Sequence, residues 1–368
     1  MKRALGIAAG LHLHTRRLRI LAAALVLLVA IGVGVGVALW KPHKGPSGHS
    51  QRSEQAEPRP RFFLSELPTT GQDRVTAVTA ISQRLFVLGT SAGKVHLVSL
   101  NDAAAPQFLT SVPGGVEDLH VSRDSSTVAA VSDTGFIRAV KIRGGAPKDF
   151  KIDPYEAAGN LSRSGRTFVY GQFDIHLVNV ATGLSIAYPD KPPPDGGRTA
   201  YEDWAVTDNG RLLAASLEGV ETWRTGNPRY TAKPATCQCA ANGVRLSDDG
   251  QLAIFGTADG HAVTVDVETR TVLHDKTVSA LPNDHIFEVA VLGSGRYYAA
   301  GTSFSRAVIW EAEKQQTVWD HTFSRQDIRD VSAVPGSDSL LVVTTPHEEE
   351  SEIRAWIVSP ARSKRAPG

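Results

Sequence analysis

The chain has 368 residues, 42% of them hydrophobic and 21% charged, with a formal net charge of +1 at pH 7. That near-neutral total hides a split: six of the 39 basic residues and none of the 38 acidic ones fall in residues 1–41, leaving 33 against 38, net −5, for the rest. A mildly acidic body of this kind excludes a nucleic-acid binder held by backbone charge and suits a basic peptide, a cation or a neutral ligand.

Residues 1–19 form a basic tail with Lys2, Arg3, Arg16, Arg17 and Arg19 and no acid. Ile20 to Trp40 follow as 21 uncharged, mostly apolar residues between Arg19 and Lys41. As a helix this run spans roughly 30 Å, the thickness of a bilayer core. A cleaved signal peptide is the alternative, with Gly36-Val37-Ala38 as the small residues, but its apolar stretch usually runs about 7–15 residues. The expectation is therefore an uncleaved transmembrane helix. Only Lys41, Lys44 and Arg52 follow within the next 15 residues. This bias places the N-terminus in the cytoplasm and the bulk of the chain outside it, in the cell envelope. Gly32, Gly34 and Gly36 also meet the small-xxx-small spacing that lets helices pack closely. Residues 41–60 are rich in Pro, Gly, Ser, Gln and charge and read as a flexible linker.

From residue 61 to 360 strand-like runs are broken at Gln83, Ser125, Gly165, Gly210, Gly250, Gly295 and Ser337, at intervals of 42, 40, 45, 40, 45 and 42. The best copies of the turn read Ser122-Arg-Asp-Ser125, Ser162-Arg-Ser-Gly165, Thr207-Asp-Asn-Gly210 and Ser247-Asp-Asp-Gly250. A period of 40–45 residues with about four strands per copy predicts a β-propeller blade. In the fifth copy the first three strands (a, b and c) are expected at Val244–Leu246, Leu252–Gly256 and Ala262–Val267, and a fourth, d, at Thr271–His274. The last copy stops at its third strand, Ile353–Val358. The apolar segment Arg61–Leu67 is expected to supply the missing outer strand and close the ring. Residues 361–368 form a basic C-terminal tail with Arg362, Lys364 and Arg365.

Trp223, Trp310 and Trp356 stand at the end of strand c, and the Ser/Thr-x-x-Gly turn recurs. In both features the chain resembles WD-repeat propellers over about residues 61–360, although it lacks their Gly-His and Trp-Asp dipeptides. Asn179-Val-Ala-Thr-Gly183 and Asp266-Val-Glu-Thr-Arg-Thr-Val272 resemble the hairpins of quinoprotein-like blades. The resemblance implies an all-β, seven-bladed propeller, and it says little about activity.

Seven positions before each turn stand Thr76, Asp118, Ala158, Asp203, Gly243, Glu288 and Asp330. This is the start of the innermost strand, so four carboxylates should circle one mouth of the central channel. Glu117, Glu202, Asp327 and Arg329 add to its polarity. The rim either binds a cation or a basic segment of a partner, because clustered like charges focus potential, or it hydrogen-bonds neighbouring blades with no ligand. His120 lies on the same face as Asp118, and His285 precedes Glu288. These could support acid–base chemistry in a hydrolase or lyase.

His347-Glu-Glu-Glu-Ser-Glu352 reads as a solvated hairpin tip. Cys237 and Cys239 are too few for a zinc site and near the distance limit for a disulfide. The motifs Gly-x-Ser-x-Gly, His-Glu-x-x-His, Gly-x-x-x-x-Gly-Lys and the dinucleotide fingerprint are all absent from the sequence. No cofactor or metal is expected. The function expected is a membrane-anchored scaffold or binding module, with an envelope protein as partner. A channel-mouth enzyme or a small-molecule or cation sensor is the alternative.

Overall fold

The computed structural model describes residues 62–63, 73–100, 106–151, 159–171, 176–186, 201–208, 211–216, 219–223, 230–232, 240–247, 249–269, 271–293, 295–347 and 353–360. For 62–63, 185–186, 201, 214, 216, 219, 221–223 and 230–232 only the backbone is described. The expected membrane helix and linker, Ala158, Cys237, Cys239 and the acidic run 348–352 lie outside these residues. Among the described residues no helix is long and apolar enough to cross a membrane.

The described residues are all-β. Strand β1 (Phe62–Phe63) is followed by β2 (Val75–Ala80), β3 (Leu85–Thr90), β4 (Lys94–Ser99) and β5 (Gln107–Ser111). The second repeat holds β6 (Val116–Val121), β7 (Thr127–Ser132), β8 (Phe136–Lys141) and β9 (Lys148–Lys151). The third holds β10 (Asn160–Leu161), β11 (Thr167–Tyr170), β12 (His176–Asn179) and β13 (Ser185–Ile186). In the fourth are β14 (Tyr201–Val206), β15 (Leu212–Ser216), β16 (Gly219–Trp223) and β17 (Tyr230–Ala232). The fifth has β18 (Ala241–Leu246), β19 (Leu252–Thr257), β20 (His261–Asp266) and β21 (Val272–Thr277). The sixth has β22 (Ile286–Leu292), β23 (Tyr297–Thr302), β24 (Arg306–Glu311) and β25 (Thr317–Thr322). The last has β26 (Gln326–Ala333), β27 (Leu340–Pro346) and β28 (Arg354–Val358).

Among the described residues these strands form seven four-stranded sheets, six of them sequential antiparallel meanders. The exception joins the two ends of the chain, in the order β1-β28-β27-β26. Phe62 opposes Ala355 and Phe63 opposes Arg354, so the segment ahead of the first repeat supplies the outer strand, as its apolar sequence predicts. Pairing the ends in one sheet covers an edge that would otherwise invite aggregation.

Consecutive sheets touch mainly through their first strands, from β2 to β6 and onward to β26, and β26 returns to β2. The first strands are therefore innermost. Each junction has its own apolar cluster. Val95 and Ala130 sit in the first, Phe150 and Phe168 in the second, Leu177 and Trp204 in the third, and Val220 and Phe255 in the fourth. Trp310 lies in the fifth, Phe323 and Trp356 in the sixth, and Phe86 and Leu341 where the circuit closes. Each large side chain buried this way contributes about 1.5–3 kcal/mol relative to exposure, and the alternating Val, Ile and Ala of the strands deliver one to each face.

The recurring turn is built by its own side chains. Ser122 Oγ donates to Asp124 Oδ1 at 2.6 Å and accepts the Thr127 N–H at 3.0 Å. Ser247 and Asp249 repeat the arrangement at 2.6 Å, with the Leu252 N–H as third member. The fourth position takes positive φ, 56° at Ser125, 64° at Gly165 and 70° at Gly250, which is why glycine recurs there.

Candidate functional site

A β-bulge shapes the mouth of the channel where the inner strands begin. Register shifts fall at Val75/Ala77, Val116/Asp118, Tyr201/Asp203, Ala241/Gly243, Ile286/Glu288 and Ile328/Asp330. The bulge leaves one extra residue in each of these six inner strands: Thr76, Glu117, Glu202, Asn242, Phe287 and Arg329. Two of these reach the next sheet. Thr76 Oγ1 donates to Val116 O at 2.5 Å, and Asn242 Nδ2 donates to Ile286 O at 3.1 Å.

This corrects one position of the predicted rim. The residue equivalent to Asp118 in the first repeat is Ala77, and Thr76 is equivalent to Glu117. The first turn is one residue shorter, Ile81 to Leu85 against Ser122 to Thr127, so counting back from it overshoots. Asp118, Asp203, Glu288 and Asp330 do share one position.

The structure gathers three of these four carboxylates around a residue that pattern counting misses. Arg245, on β18, pairs through Nη1 with Asp203 Oδ2 and lies 3.3 Å through Nη2 from Glu288 Oε2. Enclosure by the ring alone would lower the Arg245 pKa. The nearby charges of Asp203, Glu288 and Asp330 outweigh that and hold it above its ordinary value. Solvent still reaches 24% of the Arg245 side chain, against 16% for Asp203 and 9% for Glu288, so the cluster lines a narrow wet channel.

Asp203 is tied further to the backbone: Oδ1 accepts the Trp204 N–H at 2.8 Å and Oδ2 the Val244 N–H at 3.0 Å. Gly243 permits the close approach of β22 to β18. A Cβ there would stand 2.6 Å from Phe287 O. Asp330 Oδ2 accepts the Ser332 hydroxyl at 3.1 Å.

Asp118 stands apart from Arg245. Its Oδ1 accepts the Leu119 N–H at 2.8 Å, and its Oδ2 lies 3.5 Å from His120 Nε2. His120 thus lies beside Asp118, its Nε2 buried without a hydrogen-bond partner and its imidazole tilted against Phe168 at 5.8 Å. His285 faces away from Glu288, its Nδ1 lying 2.5 Å from Ala258 O in the neighbouring sheet. His347 Nε2 pairs with Asp327 Oδ1 at 2.9 Å.

The opposite mouth, where the inner strands end, is basic at its centre. Arg123, in the second repeat's turn, reaches across the channel and donates from Nη2 to Leu246 O at 3.1 Å and to Val291 O at 3.0 Å. A side chain bonded to β18 and β22 from the far side of the ring narrows that opening. The channel therefore runs from a carboxylate mouth, past Arg245, to an arginine crossbar. Among the described residues no group of three or more His, Cys, Asp or Glu could hold a metal ion.

No protein-family model matches the chain, and no curated protein matches it. Solved structures do, and 1811 chains share the fold, so the fold by itself selects no activity. One is the β-propeller domain of Cps50 (Swd1) from Myceliophteria thermophila, with a TM-score of 0.64 at 15% identity over 78% of this chain and 97% of that one. The fold is accordingly a β-propeller.

Proposed function

We propose that the chain is a protein-interaction scaffold: a seven-bladed propeller, with quinoprotein-like hairpins, anchored through residues 20–40 on the extracytoplasmic side of a bacterial envelope. The blade count rests on the seven sheets and their junctions, and the hairpins on the Asn179 and Asp266 turns, whose carbonyl or carboxylate oxygens accept following N–H groups. Anchoring and orientation rest on the apolar run and the basic residues before it.

The observation that carries the scaffold reading is Arg245. Asp203, Glu288 and Asp330 already have an internal cation, so their charge joins blades within the ring. The exposed Glu117, together with Glu202 and with Asp327 beside His347, gives the mouth face an acidic character toward a partner. Confinement to a membrane would raise the effective concentration of a membrane-bound partner, here another envelope protein.

Cross-linked capture from native membranes tests this, comparing the wild type with Glu117→Lys/Glu202→Lys and recording the melt of each. A defined partner lost by an equally stable variant supports the reading. An unchanged partner set removes the mouth face as the docking surface.

A second reading, acid–base catalysis, has one observation in its favour, the His120–Asp118 pair at 3.5 Å. Loss of a measured turnover in His120→Ala would establish it.

A further inference from the structure

We propose that the mouth face carries a preformed anchor site at the fifth and sixth repeats, centred on Phe304 and Leu281, for a polypeptide segment with an apolar side chain flanked by lysine or arginine. The proposal rests on the scaffold reading and names the partner chemistry for that face.

Four turns between second and third strands are fully described, and they lie on the mouth face. They read Ser91-Ala92-Gly93, Asp133-Thr134-Gly135, Ala258-Asp259-Gly260 and Ser303-Phe304-Ser305. The first three end in a glycine at positive φ, 75°, 72° and 85°, and carry a small or polar residue at the tip. The fourth forms the same turn with Ser305 at φ 60° and with phenylalanine at the tip, 50% exposed. Nothing in the turn's geometry calls for either residue. A non-glycine there is strained, and an aromatic ring in water forgoes its burial.

The adjoining loop repeats the anomaly. Ala280, Leu281, Pro282 and Asn283 are all exposed, Leu281 at 58%. The other large exposed apolar side chains among the described residues, Phe108, Leu184, Val272 and Leu273, lie on outer strands or on the opposite face.

The two segments are held as one rigid platform. Asp284, 1% exposed, accepts the Phe304 N–H at 2.9 Å and the Ser303 hydroxyl at 3.2 Å through Oδ1. The Ser303 N–H donates to His285 O at 2.8 Å, the His285 N–H to Ser303 Oγ at 3.0 Å, and the Asp284 N–H to Leu281 O at 3.2 Å. Rigid, exposed apolar side chains are the form that binding anchors take, because little ordering remains to be done on association.

Charge selects the partner. Asp284 Oδ2 is buried beside the patch with no hydrogen-bond donor. Asp320, helped by the Asp284 charge, holds the Arg306 pKa above its ordinary value, but the hydrogen bonds of that guanidinium go to Asp320 at 2.8 and 2.7 Å and to Val278 O at 2.7 Å. Among the described residues Asp73, Glu117, Asp118, Asp133, Glu202, Asp259 and Asp327 lie on the same face against Arg74, Lys94, Arg325, Arg329 and Arg354. A basic–apolar segment complements this surface, and an acidic membrane surface does not.

The test uses the full-length chain in detergent micelles and three synthetic peptide sets sharing one apolar residue set: with lysine and arginine flanks, with glutamate flanks, and with the apolar residues replaced by serine between basic flanks. Phosphatidylglycerol vesicles form a fourth arm. The basic–apolar set should bind best. Phe304→Thr/Ser305→Gly, which recreates the second repeat's turn, should weaken it at least tenfold with an equal or higher Tm. Leu281→Ser should act alike, and Phe304→Leu should retain most binding. Equal binding by wild type and the turn variant overturns the proposal, as does equal binding of all three sets or of vesicles alone. Loss with Glu117→Lys/Glu202→Lys but not with the turn variant would leave the scaffold reading standing without this site.

Discussion

Arg245→Met removes the guanidinium that interacts with Asp203, Glu288 and Asp330. Removing one partner of a buried ion pair costs about 3–5 kcal/mol. Solvent reaches 24% of Arg245 and 16% of Asp203. Water in the channel screens part of the loss, which places the expected destabilisation at about 2–3 kcal/mol. Adding Glu288→Gln to Arg245→Met relieves part of the repulsion and should restore about 1 kcal/mol, whereas Glu288→Gln alone should destabilise. The assay is urea unfolding of the full chain in micelles at pH 7. A loss below about 0.5 kcal/mol, the range of ordinary surface substitutions, would refute the reasoning. So would a double variant weaker than Arg245→Met, because either would mean that the carboxylates are solvated independently of the guanidinium.

Two further outcomes follow from the same geometry. The Ser247 hydroxyl and the Gln251 N–H hold Asp249 below the ordinary carboxylate range; at Asp124 burial acts the other way and is outweighed by Ser122 and Ser126. Folded pKa values lie below unfolded ones, so this stability is present above about pH 4 and is lost as pH falls through the folded values. Asp124→Asn/Asp249→Asn should therefore show a shallower loss of stability than the wild type in acid denaturation below pH 4. Gly243→Ala should destabilise by about 1–3 kcal/mol, because its Cβ would sit 2.6 Å from the Phe287 carbonyl and must push two inner strands apart; urea unfolding unchanged from the wild type would contradict that packing.

The propeller architecture was legible because the turn chemistry is local. Ser122 and Ser247 close their loops with side chains within five residues, so the repeat period survives in the sequence even where strands are short. Closure of the last sheet by Phe62 and Phe63 was legible for a related reason: β28 needed an outer partner, and only one apolar segment lay unassigned. The rim carboxylates were found because one register position recurs.

Arg245 was not found. Its position, two residues further along each inner strand, reads Thr79, His120, Asn160, Ala205, Arg245, Ala290 and Ser332. That row looks random until the ring brings β14, β18 and β22 together. Arg245 is its only permanently charged member, and that contrast was the available signal. The bulges left no mark in the sequence, since an extra residue in a strand differs from a shorter turn only through hydrogen-bond register. Arg123 was equally hidden, because its partners lie 123 and 168 residues away across the channel.

The most direct test of docking on the carboxylate-mouth face is site-specific photocross-linking in native membranes. A photoreactive residue would replace Thr134, Asp259 or Phe304 on that face, and Leu184 or Glu313 on the other. The account predicts that one defined polypeptide is captured from the first three positions and from neither of the last two. Capture from Leu184 or Glu313 instead, or capture of lipid alone from Phe304, would contradict it.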